Sequence, residues 1–260
     1  MNKKNKNPIK QASCKGCCKE TELLRQIKLE RYSSVKQLTK YRGNDIDHYN
    51  ECLKESALTI AIENENMVMA KFVLGCAANP NIPENECRPI NRAIKKNNIE
   101  MVKLLIEHEV DLNPEDARPY SSNPPPLVFA VLENNISMVE LILTYGGRRV
   151  SLENRNDAFL LAIDESHQDI AQILLDHGAE INCRDPLGNT ALMNALASNK
   201  SSSLIKFLLD RWAFPNVLGD KGKSPIVYAI EHGRKDVIQL LIDRGAELTS
   251  KQSKLIKLMN

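Results

Sequence analysis

The amino-acid sequence contains little aromatic material and no long hydrophobic run. Aromatic residues make up 5% of the 260 residues, and only one of them is a tryptophan. No segment approaches the roughly 18 consecutive apolar residues that a membrane-spanning helix needs. The N-terminal residues MNKKNKNPIK are basic but include no apolar core, so they do not have the pattern of a secretory signal. We therefore expect a cytoplasmic protein whose seven cysteines are reduced.

Sequence motifs of catalysis and metal binding are also absent. There is no HExxH, GxSxG, P-loop or GxGxxG spacing, and the five histidines are spread along the chain. Basic residues are not interleaved with aromatic residues, which argues against a nucleic-acid-binding surface. The sequence therefore predicts a protein that is not an enzyme, uses no cofactor or metal, and does not bind nucleic acid.

What the sequence does contain is a repeated pattern. Six segments share an apolar third residue and an alanine at the sixth position, and their starts are 32 to 37 residues apart. They are SALTIA from Ser56, RPINRA from Arg88, PPLVFA from Pro125, DAFLLA from Asp157, TALMNA from Thr190 and SPIVYA from Ser224. A small side chain in this register allows two helices to pack closely.

A second apolar block follows each of these segments. In MVMAKFVL from Met67 and IEMVKLLI from Ile99, for example, apolar residues recur every three or four positions, which is typical of an amphipathic helix. Gly146, Gly178 and Gly245 come next and suit the left-handed conformation that follows a helix end. The pattern predicts that each unit is a helix, a tight turn, a second helix and an extended loop.

These segments resemble the ankyrin repeat family. The pattern of that family is about 33 residues long and runs D-x-x-G-x-T-P-L-H-x-A, then V-x-x-L-L, then G-A-x-x-N. DPLGNTALMNA from Asp185 and ILLDHGAEIN from Ile173 are among the best matches, although no unit keeps the histidine of the pattern. The resemblance implies an all-α fold, an ankyrin-repeat solenoid of about seven helix-turn-helix repeats with extended finger loops.

We expect the chain to have two parts. Residues 1–19 form a basic, flexible tail that contains cysteine and lysine, and residues 20–260 form the ankyrin-repeat domain. The predicted repeats cover residues 20–49, 50–83, 84–118, 119–152, 153–185, 186–219 and 220–249, followed by a short C-terminal cap at 250–260. Residues 1–43 contain 12 basic and 3 acidic side chains, so the formal net charge of +2 combines a basic start with a mildly acidic remainder.

The tail contains three cysteines, Cys14, Cys17 and Cys18, among several lysines. Three interpretations are open: free thiols in a flexible tail, part of a metal site, or S-acylation beside a polybasic segment. A closed zinc site needs four ligands, and no further Cys or His is near in the sequence. Acylation together with the lysines would supply the two signals that stable membrane anchoring requires. We expect membrane binding only if the tail is acylated.

The resemblance implies that a protein partner binds the finger loops and the polar ends of the first helices. Carried over repeat by repeat, the helix positions are Glu63, Asn64, Lys95, Lys96, Glu133, Asp164, Glu165, Glu231 and His232. Apart from one lysine pair, the charges among them are mainly acidic, which favours a mixed or basic protein segment as the ligand.

Two further positions depart from the family pattern. Tyr120 lies in PEDARPYSSNPPP, a segment that is either a finger loop offered to a partner or a surface insertion that the fold tolerates. Trp212 stands where the family has glycine. We expect Trp212 to pack between neighbouring repeats, with contact to a partner as the alternative.

Taken together, the sequence predicts a monomeric, non-enzymatic scaffold or adaptor that binds a protein partner through its first helices and finger loops. Two alternatives stay open. One is a membrane-tethered adaptor with an acylated tail, and the other is a host-directed bacterial ankyrin effector that acts in the cytoplasm of the host cell.

Overall fold

The structure is a computed structural model that describes residues 22–39, 46–47, 56–81, 87–115, 117, 119, 121, 123–219 and 222–259. In these ranges the chain forms helices and turns, with one isolated antiparallel bridge between Arg184 and Thr190 and no strand. Contacts divide the chain into two compact units, Met1–Arg92 and Ala93–Asn260.

The described residues of the first unit form four complete helices. They are α1 (Glu22–Lys28), α2 (Tyr32–Leu38), α3 (Ala57–Glu63) and α4 (Met67–Gly75), and α5 (Pro89–Lys95) begins in this unit and ends in the next. Helix α1 packs against α2 and α3, and α3 packs against α4. The rings of Tyr32 and Phe72 also meet edge to face, with 4.9 Å between their centroids.

The second unit is a double row of helices. The elements that follow α5 are α6 (Ile99–Glu107), α7 (Pro126–Leu132), α8 (Ile136–Gly146), a 3₁₀ turn (Gly147–Arg149), α9 (Leu152–Asp164), α10 (Gln168–Asp176), α11 (Ala191–Ala197), α12 (Ser202–Asp210), α13 (Pro225–Glu231), α14 (Lys235–Asp243) and α15 (Ser250–Met259). First helices pack in the series α7, α9, α11 and α13, while second helices pack as α6 on α8, α8 on α10, and α12 on α14. Within the second unit, each repeat therefore buries its apolar faces against the repeats next to it in the sequence.

The repeated alanines lie at the close contacts between helices. All six are at most 1% exposed, and the set is Ala61, Ala93, Ala130, Ala162, Ala195 and Ala229. The apolar residues three positions earlier are equally buried, among them Phe159 on α9. The predicted role of this register as the packing core of the repeats is therefore confirmed.

Side chains at the helix starts explain where many of the helices begin. The hydroxyls of Ser56, Ser151 and Thr190 accept hydrogen bonds from backbone N–H groups in the first turns of α3, α9 and α11. Second helices use asparagine instead, as in Asn66 and Asn98, whose carboxamide oxygens accept from the N–H groups of the third helical residues. Each such cap stabilises its helix by about 1 kcal/mol.

The tight turn inside each helix pair contains one residue in the left-handed conformation. The φ angle lies between 49° and 66° at these positions, which are Glu30, Glu65, Asn97, Asn134, Ser166, Asn199 and Gly233. Only the last of them is glycine, the residue that adopts this conformation without a steric penalty.

After the second helices, Gly178 and Gly245 have φ angles of 88° and 87°, as predicted. The same prediction for Gly146 is wrong, because this residue is the last of α8 with a φ of −72°, and Gly147 takes the positive φ instead. A Cβ atom at Gly146 would lie 2.7 Å from Cδ1 of Leu112, so glycine is needed there for close packing.

One predicted finger loop is missing. Asn154 and Asn156, which the repeat pattern places in the extended loop before the segment DAFLLA, are instead helical. They make α9 13 residues long, whereas α7 and α11 have 7 residues each. The segment SLENRND contains neither glycine nor proline, and Oγ of Ser151 accepts a hydrogen bond of 3.1 Å from the N–H of Asn154. The negative charge of Glu153 in the first turn also stabilises the helix, because it lies near the positive end of the helix dipole. These local signals start the helix immediately after Ser151.

The residues predicted as a C-terminal cap form helix α15, on which Leu255 and Leu258 are exposed. Across the described ranges, no helix has both the length and the apolar character needed to cross a bilayer.

Candidate protein-binding surface

Asparagine side chains tie each of several loops to the next repeat. The Nδ2 of Asn182 donates to the carbonyl oxygen of Trp212 at 3.3 Å, and its Oδ1 accepts from the N–H of Phe214 at 2.8 Å. The same two-point contact joins Asn113 to Arg149 and Ser151, and Asn216 to Gly245 and Glu247. In these three repeats the terminal asparagine therefore fixes the spacing of adjacent loops.

The predicted helix positions of the second unit lie at the carboxyl ends of packed first helices. Glu133 and Glu165 are exposed and directly follow α7 and α9. Asp164 is the last residue of α9 and is half-buried, and its carbonyl oxygen accepts a hydrogen bond from Nζ of Lys200. Because these helices pack side by side, their carboxyl ends form one polar edge.

At α13 the predicted positions are occupied by intramolecular contacts. Glu231 binds Nζ of Lys223 at 2.7 Å, and this hydrogen bond raises the pKa of the Lys223 ammonium group. The Nε2 atom of His232 lies 3.2 Å from the carbonyl oxygen of Ala197 at the end of α11. The imidazole therefore links the ends of two neighbouring first helices.

The remaining helix positions lie at the ends of α3 and α5. In the first unit, the exposed Glu63 is the last residue of α3, and its carboxylate binds the guanidinium of Arg92 at 3.1 Å. The exposed Asn64 follows directly as the C-terminal cap of α3. Lys95 is the exposed last residue of α5, and Lys96 is half-buried.

The side chain of Trp212 is 83% exposed, so the prediction that it packs between repeats is wrong. Trp212 has the left-handed conformation with a φ of 66° and lies two residues after the end of α12. Tyr120 and the cluster Cys14, Cys17 and Cys18 lie outside the described residues, so contact of Tyr120 with a partner and acylation of the tail stay predictions.

An open groove of about 1160 Å³ lies beside α9. One wall is the proline-rich loop between α6 and α7, and the other is the turn at residues 185–187 with the end of α11. Its lining includes Glu115, Glu153, Asp157, Leu160, Asp164, Asp185, Leu187 and Ser198. Of the predicted helix positions, only Asp164 lines this groove.

Sequence reasoning missed Glu153 and Asp157 because it placed them in or next to a loop. The available signal was local: Ser151 followed by acidic residues, with no glycine or proline before the next packing segment, is a helix start. Glu115 was not singled out because its proximity to α9 depends on the path of the long loop.

The turn at Asp185 is held by its own hydrogen bonds. Oδ1 of Asp185 accepts from the N–H groups of Leu187 at 2.9 Å and Asn189 at 2.8 Å, and its Oδ2 accepts from Nδ2 of Asn194 at 3.0 Å. All three donors are neutral, so these bonds position the carboxylate without cancelling its charge.

A smaller depression of about 450 Å³ shares Glu153, Asp157, Asp185 and Pro186 with the groove. Its lining also includes Cys183 and Arg184. Burial raises the pKa of the Cys183 thiol to about 12, with further contributions from the carboxylates of Glu180 and Asp157. A thiol with this pKa is protonated and unreactive at neutral pH. In the described ranges, no group of three or more His, Cys, Asp and Glu side chains is arranged to hold a metal ion.

Known ankyrin-repeat proteins match the chain along most of its length. The family model for ankyrin repeats (3 copies) matches residues 23–116, 117–185 and 178–252. An ankyrin repeat protein of fowlpox virus is 32% identical over 162 residues, which are 60% of this chain and 47% of the viral protein. An ankyrin repeat protein of Rickettsia bellii is 32% identical over 127 residues, which are 47% of this chain and 46% of that protein. The chain spans less than half the length of these curated relatives.

Solved ankyrin-repeat structures share the fold. The crystal structure of the ankyrin repeat domain of Bcl-3, a member of the IkappaB protein family, has a TM-score of 0.67 at 21% identity and covers 79% of this chain and 98% of that domain. An ankyrin repeat domain from Acinetobacter baumannii has a TM-score of 0.61 at 23% identity and covers 73% of this chain and 98% of that domain. At these identities the likeness concerns the fold alone, and it confirms the predicted all-α solenoid.

Proposed function

Because the chain belongs to the ankyrin repeat family, we propose that it is a binding module that holds a protein partner and catalyses no reaction. Ankyrin repeats are protein–protein interaction modules, and family membership supports the same general role here. The observation that carries the proposal is the polar edge of the second unit, where exposed carboxylates sit on packed helices whose cores are fully buried. Such an edge presents side chains on a rigid support, which favours recognition over chemistry.

The location of polar groups supports the non-enzymatic part of the proposal. The most strongly perturbed thiol, Cys183, is protonated by its burial rather than activated. His232 contacts a backbone carbonyl, and the carboxylate of Glu231 is engaged by Lys223. The His232 contact joins neighbouring repeats, and the Lys223–Glu231 pair lies within one repeat.

The proposed contact residues in the second unit are the ends of its first helices: Lys95, Lys96, Glu133, Asp164, Glu165, Glu231 and His232. Glu63 and Asn64 are the corresponding positions of the first unit. Trp212 is a separate candidate, since an exposed tryptophan is a frequent interface anchor.

Affinity capture with mass spectrometry tests this proposal. The bait is the full chain, the sample is a lysate of the organism that encodes it, and the test variant is Glu133→Lys with Glu165→Lys. We expect the variant to lose at least about tenfold of the captured partner, because rim charges set association and specificity. Its thermal midpoint should stay unchanged, because both side chains are exposed.

The matched control is Glu140→Lys with Asp176→Lys, which makes the same change in charge on the exposed faces of the second helices α8 and α10. This control should capture the partner as the unmodified chain does. Equal capture by both variants would place the interaction away from the first-helix edge, and no specific capture by the unmodified chain would contradict the proposed function.

A further inference from the structure

The missing finger loop leaves a gap in the row of loops. Neighbouring repeats have loops before their first helices, but α9 begins directly after Ser151. The proline-rich loop and the Asp185 turn therefore face each other across the first turns of α9. The groove described above occupies this gap, and α9 forms its floor.

Acidic side chains are the only charged groups among the described lining residues of the groove. Five carboxylates line it, and no Lys, Arg or His occurs among the described lining residues. Three of the five, Glu153, Asp157 and Asp164, come from α9. The groove therefore has a negative electrostatic potential that is focused between its two walls, and this potential attracts a positively charged ligand.

The α9 residues form a stripe along one helix face. Glu153, Asp157, Leu160 and Asp164 are spaced by four, three and four positions, which places them on the same side of an α-helix. From Glu153 to Asp164 the stripe is about 16 Å long at 1.5 Å per residue. An extended peptide at about 3.3 Å per residue would run beside it for about five residues.

Apolar surface is placed within the same groove. Leu187 projects from the Asp185 turn with 66% of its surface exposed, and Pro186 and Ala197 beside it are also exposed. Pro119 in the proline-rich loop is half-buried, whereas Leu160, Pro114, Pro125 and Ala117 line the groove as buried residues. A ligand with charged groups alone would leave this surface uncovered.

We propose that this groove binds an extended segment of a protein partner that carries at least two Lys or Arg residues and one bulky apolar side chain. The inference rests on the proposed function and names the partner class. Charge complementarity selects the basic residues, and the long aliphatic stems of Lys and Arg also cover apolar walls. In an extended chain that lies along the stripe, alternate side chains face the α9 floor.

The test is a selection from a phage-displayed library of random peptides of about 12 residues on the full chain, followed by affinity measurement with the enriched peptides in synthetic, labelled form. We expect enrichment of peptides with net positive charge and at least one large apolar residue. Binding should weaken at least about tenfold when Glu153 and Asp157 are replaced together by lysine. It should also weaken as the ionic strength rises, because partly exposed ion pairs are screened.

A second variant separates groove occupation from charge. Ser198 is exposed and lines the groove at the end of α11, so Ser198→Trp fills space without changing the charge. This variant should also weaken binding at least about tenfold with an unchanged thermal midpoint. The control is again Glu140→Lys with Asp176→Lys, which should bind the peptides with unchanged affinity.

Two results would overturn the inference. One is enrichment of neutral or acidic peptides, and the other is equal affinity of the basic peptides for the unmodified chain and both groove variants. Either result leaves the proposed function standing if the unmodified chain captures a partner that is lost on Glu133→Lys with Glu165→Lys. Failure of that capture, by contrast, would count against the proposed function itself.

Discussion

The two loops that flank α9 are held in place in different ways. The Asp185 turn is closed mainly from within, through two hydrogen bonds from its own N–H groups to the Asp185 carboxylate and the bridge between Arg184 and Thr190. Asn194 on α11 donates to the same carboxylate, and Arg184 donates to the carbonyl oxygen of Leu218 at 3.2 Å. The proline-rich loop is instead anchored at its base by the following repeat. Nδ2 of Asn154 on α9 donates to the carbonyl oxygen of Leu112 at 3.1 Å and to Oδ1 of Asn113 at 2.9 Å.

The difference follows from sequence. An aspartate at the start of a short turn can accept from N–H groups two and four residues on, so a turn of this kind is self-supporting. Prolines lack the N–H group that such bonds need, so a proline-rich segment depends on contacts made by other elements. Arg149 adds to this external support, because its guanidinium donates to the carbonyl oxygens of Ile106 and Val110 at 2.8 and 2.7 Å.

The largest expected effect is that of Asn154→Ala. Asn154 is only 8% exposed, and its removal leaves the carbonyl oxygen of Leu112 without this donor inside the structure. We expect a loss of about 1–3 kcal/mol in the free energy of unfolding. Chemical denaturation measures this change, and Glu153→Ala at the adjacent exposed position is the control, with less than about 0.5 kcal/mol. Equal effects of the two changes would show that α9 does not anchor the long loop.

Asp185→Ala should have a smaller and more local effect. The three lost hydrogen bonds join groups of the same turn and of the helix that follows it, so we expect a loss of about 1 kcal/mol or less. Hydrogen exchange should accelerate at the N–H groups of Leu187 and Asn189 but not at those of α7. Asp185→Asn retains an acceptor oxygen and should be milder. Accelerated exchange in the proline-rich loop would mean that the two loops are not anchored independently.

The alkylation rate of the Cys183 thiol measures how well the same turn stays closed. Its thiol pKa is raised from about 9.0 to about 12 in the folded chain, so alkylation near pH 8 should be slow until the protein unfolds. Because the unfolded thiol loses its proton first, stability should decrease as the pH rises above about 9 and reach its full loss near 12. Peptide-level mass spectrometry after alkylation measures the rate. Asp185→Ala should increase it, whereas rapid labelling of the unmodified folded chain would contradict the burial of this thiol.

The smallest expected effect is that of Leu187→Ser. Leu187 lies at the tip of the turn and is 66% exposed, so its removal should change the free energy of unfolding by less than about 0.5 kcal/mol. The same change should weaken binding of basic, apolar peptides to the groove. A large loss of stability would show that the tip, and not only the Asp185 carboxylate, holds the turn together.

Residues that recur in register could be predicted from the sequence, because each makes the same contact in every repeat. The alanines from Ala61 to Ala229 and the helix starts at Ser56 and Thr190 belong to this class. Deviations were harder. Gly146 was misplaced by one position, and the start of α9 was misread because periodic expectation outweighed the local signal of Ser151 and Glu153.

The groove could not be predicted from any one segment. Its lining brings together residues as far apart in sequence as Glu115, Asp157 and Ser198, and their proximity depends on packing between α7, α9 and α11. Trp212 illustrates the opposite error, since a large aromatic side chain was expected inside but is 83% exposed. Sequence pattern specified the repeats, whereas their irregularities shaped the candidate site.

The turn residue inside each helix pair also gives a way to tune the protein. A left-handed backbone is disfavoured for residues other than glycine, least for asparagine and more for glutamate or serine. The repeats that contain Glu65 and Ser166 are therefore less stable than they would be with glycine, as at Gly233, or asparagine, as at Asn97, in the same turn position. An engineer can therefore grade the local stability of successive repeats by exchanging one turn residue at a time, while the first-helix edge and the groove keep their side chains.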